Sequence, residues 1–410
     1  MVRLRSGGMG VLAVLALAGG PLLAQPGRGP QNILPEPAAT PGTAPSTTPA
    51  PVPTATPAPA GAPSAATSPV VAVPAGPAPV PVEVPVVETV MHWSAGDAQA
   101  LLGVIQSIDA EGLIPADYQP GALRAAIAAG EGPALDNAAS QSFAWLAEDL
   151  RDGRTPMTAR VQWFAVDPDR DSNPTDQIMA KALETHNVAG VLAGLAPSHP
   201  DYQALKAALA ATPRAATTAR ALIRANMDRW RWLPRELGDI YLITNVPEFQ
   251  LRLMKRNHQI VRTYRTIVGK PGRTATPQLA EQVQAVVFNP TWTVPQSIVQ
   301  GEGLGPRLLA SPASARAQGY KVSKGADGFI TVVQQPGPNN ALGLMKIDMP
   351  NPHAIYLHDT PARNLFNAPV RAFSHGCIRT ERAVELGITM AILGAGMAPE
   401  DGAALSEAGK

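Results

Sequence analysis

A chain of 410 residues has room for roughly two or three domains. Its 33 basic and 32 acidic residues leave a formal charge of +1, which gives no electrostatic case for nucleic acid or an anionic membrane surface as the main partner. A single cysteine excludes an intramolecular disulfide framework and any multi-cysteine zinc or iron–sulfur site.

The N-terminus carries Arg3 and Arg5, then an uncharged apolar run over residues 9–18 that Gly19, Gly20 and Pro21 interrupt. This pattern predicts an export signal over residues 1–24, cut after the small residue Ala24, and hence a periplasmic protein. The run is too short and too broken to make a good membrane span, and no later segment sustains the ~18 apolar residues that one needs. No membrane role is expected beyond an uncleaved signal.

Residues 25–88 are dominated by Pro, Ala, Thr and Val, with Arg28, Glu36, Glu83 and Glu88 as their only charges. Such a segment cannot bury a core and is expected to be a disordered, extended linker.

Over residues 89–236 the apolar spacing becomes helical. Leu101, Leu102 and Ile105, then Phe143, Leu146 and Leu150, then Tyr202, Leu205 and Leu209 recur three and four apart. His186 and His199 stand alone here, and no catalytic constellation is visible. Met227 and Trp230 share one helical face before Pro234, and Trp230 and Trp232 are expected to pack between domains rather than to stack on a ligand.

After Gly238 the period changes to two. Strands are expected over 240–244, 249–254, 259–268, 284–288, 329–334, 344–347 and 354–358. They imply a mainly-β domain over residues 237–398, arranged as sheet on sheet or a partly closed barrel. A helix is expected over 380–393 with Thr380 as its N-cap, and a tail over 399–410. The fold class is therefore α+β and multidomain.

The chemistry concentrates in two stretches, Tyr356-Leu357-His358-Asp359 and Ser374-His375-Gly376-Cys377-Ile378-Arg379. The only thiol stands in a glycine turn three residues before the expected helix. Helix N–H groups and Arg379 are therefore expected to lower its pKa. Gly376 lets a substrate approach the backbone, and the N–H groups of His375, Gly376 and Cys377 are candidate oxyanion donors. His358 is the candidate base. A zinc site of His353, His358 and His375 is the alternative, disfavoured because it would consume the bases that the thiol needs.

A histidine followed some fifteen residues later by Ser-His-Gly-Cys resembles the active-site signature of the L,D-transpeptidases, the YkuD-type catalytic domain. Asn226-Met-Asp-Arg-Trp-Arg-Trp-Leu-Pro234, Phe288-Asn-Pro-Thr-Trp-Thr-Val-Pro295 and Pro336-Gly-Pro-Asn-Asn-Ala-Leu-Gly343 are similar to the YcbB-like branch, in which a helical scaffold domain precedes the catalytic one. The resemblance implies a cysteine acyltransferase of cell-wall peptidoglycan that needs no cofactor or metal. Cys377 would form a thioester with a tetrapeptide stem, releasing the terminal D-amino acid, and an amine of a neighbouring stem would resolve it. An L,D-carboxypeptidase, or an enzyme attaching an outer-membrane protein to the wall, are the alternatives. The resemblance makes His358 the general base, oriented by the backbone carbonyl of Asp359. Ser374 and Arg379 become supporting residues, the latter for a stem carboxylate. Asn340 and Tyr356 are weaker candidates for substrate contact.

Overall fold

The computed structural model describes residues 89–165 and 172–408, together with two short strands, β1 (Val2–Arg3) and β2 (Val11–Leu15). The rest of the expected signal and the whole linker over 25–88 lie outside the described residues.

The helical part begins with α1 (Ala95–Ser107), whose first turn is capped by Ser94 Oγ accepting from Asp97 N at 3.0 Å. It continues through α2 (Pro120–Ala129), α3 (Pro133–Asp152), α4 (Thr175–Glu184), α5 (Val188–Ala193), α6 (Pro200–Ala211) and α7 (Thr217–Arg231). The apolar positions of α3 predicted from spacing, Phe143, Leu146 and Leu150, bury with Leu135 against Trp93, Leu101, Ile105 and Tyr118. His199 is the cap of α6, its Nδ1 accepting from Asp201 N at 3.1 Å. The helix α7 ends three residues before Pro234. A second core then joins Tyr202, Met227, Trp230, Trp232 and Leu233 to Tyr241, Ile243 and Met254 of the β part. The two tryptophans thus pack between the helical and β portions.

In the β part, β3 (Ile240–Asn245), β4 (Gln250–Lys255) and β5 (Gln259–Gly269) form an antiparallel meander. After it come β6 (Ala280–Gln282), β7 (Ala285–Phe288) and β8 (Trp292–Thr293). An insertion holds the short helices α8 (Gln296–Gly301), α9 (Leu304–Ala310) and α10 (Pro312–Ala317), with strands β9 (Tyr320–Lys324) and β10 (Ile330–Gln334). It has its own core of Val294, Val299, Leu304, Leu308 and Val332, and its strands form a separate sheet in the order β8-β10-β9.

The chain then re-enters the main sheet through β11 (Met345–Asp348), β12 (Leu357–His358), β13 (Ala372–Ser374) and β14 (Ile378–Thr380). The main sheet runs β1-β7-β11-β12-β14-β5-β4-β3-β2-β6, with β13 beside β5. Its buried face packs Val286, Met345, Ile347, Leu357 and Ile378 against Leu386 and Met390 of α11 (Ala383–Ala395).

Two expectations at this end are corrected. Thr380 caps no helix: it is fully buried and pairs with Thr266 of β5, so α11 starts only at Ala383. The expected tail folds instead as α12 (Pro399–Ala408), whose Gly402 lies against Ile388 and Ile392 of α11.

Candidate active site

Strand register explains why the singled-out residues meet. Lys346 of β11 pairs with His358 of β12, and His358 pairs with Arg379 of β14. Leu357, Ile378 and Ile347, one position away, point into the core. Strand side chains alternate, so Lys346, His358 and Arg379 form a row on the opposite face. Two residues back along the parallel β12–β14 pair, Tyr356 and Cys377 belong to that same face, and Ile378 N donates to Tyr356 O at 3.1 Å. The rings of Tyr356 and His358 lie 5.7 Å apart, and the Tyr356 phenol bonds the Cys377 thiol.

Each member has a defined partner. His358 is 5% exposed, and its Nδ1 lies 2.5 Å from Asp359 O. That carbonyl only accepts, so Nδ1 carries the proton and Nε2 presents a lone pair. The Asp359 carboxylate turns away to accept from Leu344 N and Arg363 Nη2, both at 3.0 Å. Tyr356 Oη accepts from Trp292 Nε1 at 3.1 Å, which leaves its own proton free to donate. Lys346 pairs with Asp348 at 2.8 Å, and its Nζ sits 4.4 Å from the centre of the Tyr356 ring. Arg379 differs. It makes no salt bridge among the described residues, and its buried Nε has no hydrogen-bond partner.

The turn that presents the thiol is held from below. Ser374 Oγ donates to Cys377 O at 2.6 Å and accepts from Gly376 N at 3.1 Å. Thr276 Oγ1 donates to Gly376 O at 2.7 Å. Gly376 has φ +120 and Ile355 close by, so a Cβ here would be strained and crowded. Ser374 therefore shapes the turn rather than facing a substrate.

Several expectations need correction. The Gly376 N–H is committed to Ser374 Oγ, leaving His375 and Cys377 as the candidate oxyanion donors. No helix start lies beside the thiol, because Ile378–Thr380 continue as strand. Burial pushes the Cys377 thiol up, and this outweighs the Tyr356 N–H and phenol, Lys346 and Arg379, all of which pull it down. Asn340 spends its amide on Pro290 O and Gln335 O and accepts from Leu342 N, so it holds the insertion loop.

The three histidines of the zinc alternative are each engaged elsewhere. The His353 ring lies 4.1 Å from Phe164, His358 is held by Asp359 O, and His375 Nε2 sits 3.5 Å from Glu302. Among the described residues no three His, Cys, Asp or Glu side chains are grouped to hold a metal ion. Residues that sequence reasoning missed are Lys346, Trp292, Thr276 and Asn351. Of these, Lys346 was within reach, as the polar position in the otherwise apolar run expected as a strand over 344–347.

Comparison with known proteins places these residues within a matched domain. The family profile of the YkuD L,D-transpeptidase catalytic domain matches residues 239–387, and that of the Scaffold domain matches residues 90–209. A Haemophilus influenzae protein named "Putative L,D-transpeptidase" is 32% identical over 176 residues, which is 39% of this chain. The match spans 35% of that relative's length. The chain thus joins a Scaffold domain to an L,D-transpeptidase catalytic domain of the YkuD family.

Proposed function

We propose that the protein is a periplasmic L,D-transpeptidase that cross-links peptidoglycan stem peptides through Cys377. The observation that carries this reading is the shared sheet face of Cys377, Tyr356, His358 and Arg379, with the imidazole tautomer fixed by Asp359 O.

The chemistry follows from that arrangement. His358 Nε2 takes the proton from Sγ as sulfur attacks the carbonyl between the third and fourth residues of a tetrapeptide stem. The negative charge that forms on the carbonyl oxygen is met by the N–H groups of His375 and Cys377 and by the Tyr356 phenol. As the tetrahedral intermediate collapses, His358 returns its proton to the leaving D-amino acid and a thioester remains. An amine of a neighbouring stem then attacks; His358 accepts its proton and sulfur leaves as thiol. Arg379 receives a carboxylate of the stem, the partner it lacks among the described residues.

Incubating the purified protein with disaccharide tetrapeptide and weighing the products tests this. A cross-linked dimer supports transpeptidation. A tripeptide monomer without dimer would replace it with hydrolysis, and unchanged substrate would remove the activity.

A further inference from the structure

Ala354 has φ +53, a left-handed conformation that a residue with a Cβ seldom adopts. Its carbonyl oxygen lies 3.6 Å from Cys377 Sγ, which donates to it. The turn is fixed by one side chain. Asn351 Nδ2 donates to Met349 O and Ile355 O, each at 2.7 Å, and Asn351 Oδ1 accepts from His353 N and Ile355 N, each at 3.1 Å. Ala354 N adds a bond to Asn351 O at 3.1 Å. All the hydrogen-bonding capacity of that amide goes into holding a strained turn whose product is one carbonyl aimed at the thiol.

We propose that Asn351 is a positioning residue for the nucleophile, locking Ala354 so that its carbonyl accepts the S–H of Cys377 and keeps the resting thiol protonated. The inference rests on the reading of Cys377 as nucleophile. A carbonyl can only accept, so it stabilises the neutral thiol and opposes the thiolate. Other groups around sulfur act the opposite way: the Tyr356 N–H and phenol, Lys346 and Arg379 favour the anion. His358 is the proton acceptor on the same face, Asp348 is paired with Lys346, and His375 faces Glu302 at the rim. In turnover the S–H bond leaves the Ala354 carbonyl and its proton passes to His358 Nε2.

The test uses the full chain, whose only cysteine makes thiol alkylation a single-site reading. Iodoacetamide alkylation is followed against pH for the wild type and Asn351→Ala, with Cys377→Ala as blank. The midpoint, rather than the rate, separates thiol acidity from mere exposure. The expected midpoint for Asn351→Ala lies about half to one pH unit lower, which is about three- to tenfold faster alkylation well below it. Should that variant fail to fold, Ala354→Gly relaxes the turn while keeping the carbonyl, and a smaller shift in the same direction is expected. A folded variant with an unmoved or raised midpoint overturns the proposal. The reading needs no substrate, so a failure here is distinct from failure of the transpeptidase assignment, which the product analysis decides.

Discussion

Arg379 lies directly across the parallel β12–β14 pair from His358, while Lys346 faces the same imidazole from β11. Burial, then Arg379 and Lys346, drive the His358 pKa down to about 3, against the opposing pull of the Asp359 carbonyl. Burial raises the thiol at the same time. On the proposed mechanism both directions favour a resting pair of neutral thiol and neutral imidazole, with the proton moving during attack rather than before it.

This has a pH signature. Acylation of Cys377 by a carbapenem, whose strained lactam carbonyl offers the same target, should be level from about pH 5 to 8, with no inflection near the ordinary histidine value of about 6.5. In His358→Ala only thiolate can react, so its much lower rate should climb about tenfold per pH unit below the thiol pKa. Stopped-flow rates across pH decide between them. A rise centred near 6.5 in the wild type would mean that His358 titrates in that range.

Cys377→Ala should lose turnover by several orders of magnitude, on the order of 10⁴ or more, while keeping its fold. The side chain is small and only partly buried, and the turn is held by Ser374 and Thr276 rather than by sulfur. Intact-protein mass after carbapenem exposure should show one adduct on the wild type and none on the variant. An adduct on Cys377→Ala would move the nucleophile elsewhere.

Much of this architecture was legible because periodicity reports burial. The apolar run over residues 240–243 is buried on both faces, Leu242 in one core and Tyr241 and Ile243 in another, whereas the three- and four-residue spacing through Phe143, Leu146 and Leu150 is the direct consequence of one helix face meeting a core. Thr380 misled because an N-cap preference is local, whereas its partner Thr266 is more than a hundred residues away. The expected strand over 354–358 shrank to Leu357–His358 since Asn351 diverts the backbone into the left-handed turn at Ala354. The helices of the insertion, six or seven residues each, are too short to show a period. The site residues stood out as types, but only register tells that Lys346 and Arg379 flank the imidazole.

The second buried histidine makes a prediction about stability. His199 is held neutral, its pKa lowered to about 3 by burial first, then by His258 and Arg252. Its ring stacks on Trp230 at 4.2 Å, at the junction between the helical and β portions. Between pH 6.5 and 3 the unfolded chain binds a proton there that the fold refuses, so stability is full above about 6.5 and falls as the pH drops. The loss is at most about 1.4 kcal/mol per pH unit for one such group. Thermal melts at pH 7, 6 and 5 should show a falling midpoint. The fall should be shallower in His199→Asn, which keeps an acceptor for the helix cap. Parallel pH dependence in the two proteins would remove His199 as a source.

Arg379 should trade stability against activity. Its guanidinium is partly buried, burial lowers its pKa, and Nε finds no acceptor. A buried cation without a carboxylate is costly to the fold, and replacing one with an apolar side chain of similar length is often neutral or stabilising. Arg379→Met should therefore melt at the same temperature as the wild type or above it. The same change removes the fork that would grip a substrate carboxylate, so kcat/KM for the tetrapeptide should fall about 10- to 100-fold, consistent with loss of a charged hydrogen bond. Arg379→Lys keeps the charge but not the planar pair of donors, and should recover only part of that loss. Acylation by a small uncharged thiol reagent should change far less than turnover, because it makes no use of the carboxylate grip. A lowered melting temperature together with unchanged kcat/KM would show that Arg379 serves the fold and not the substrate.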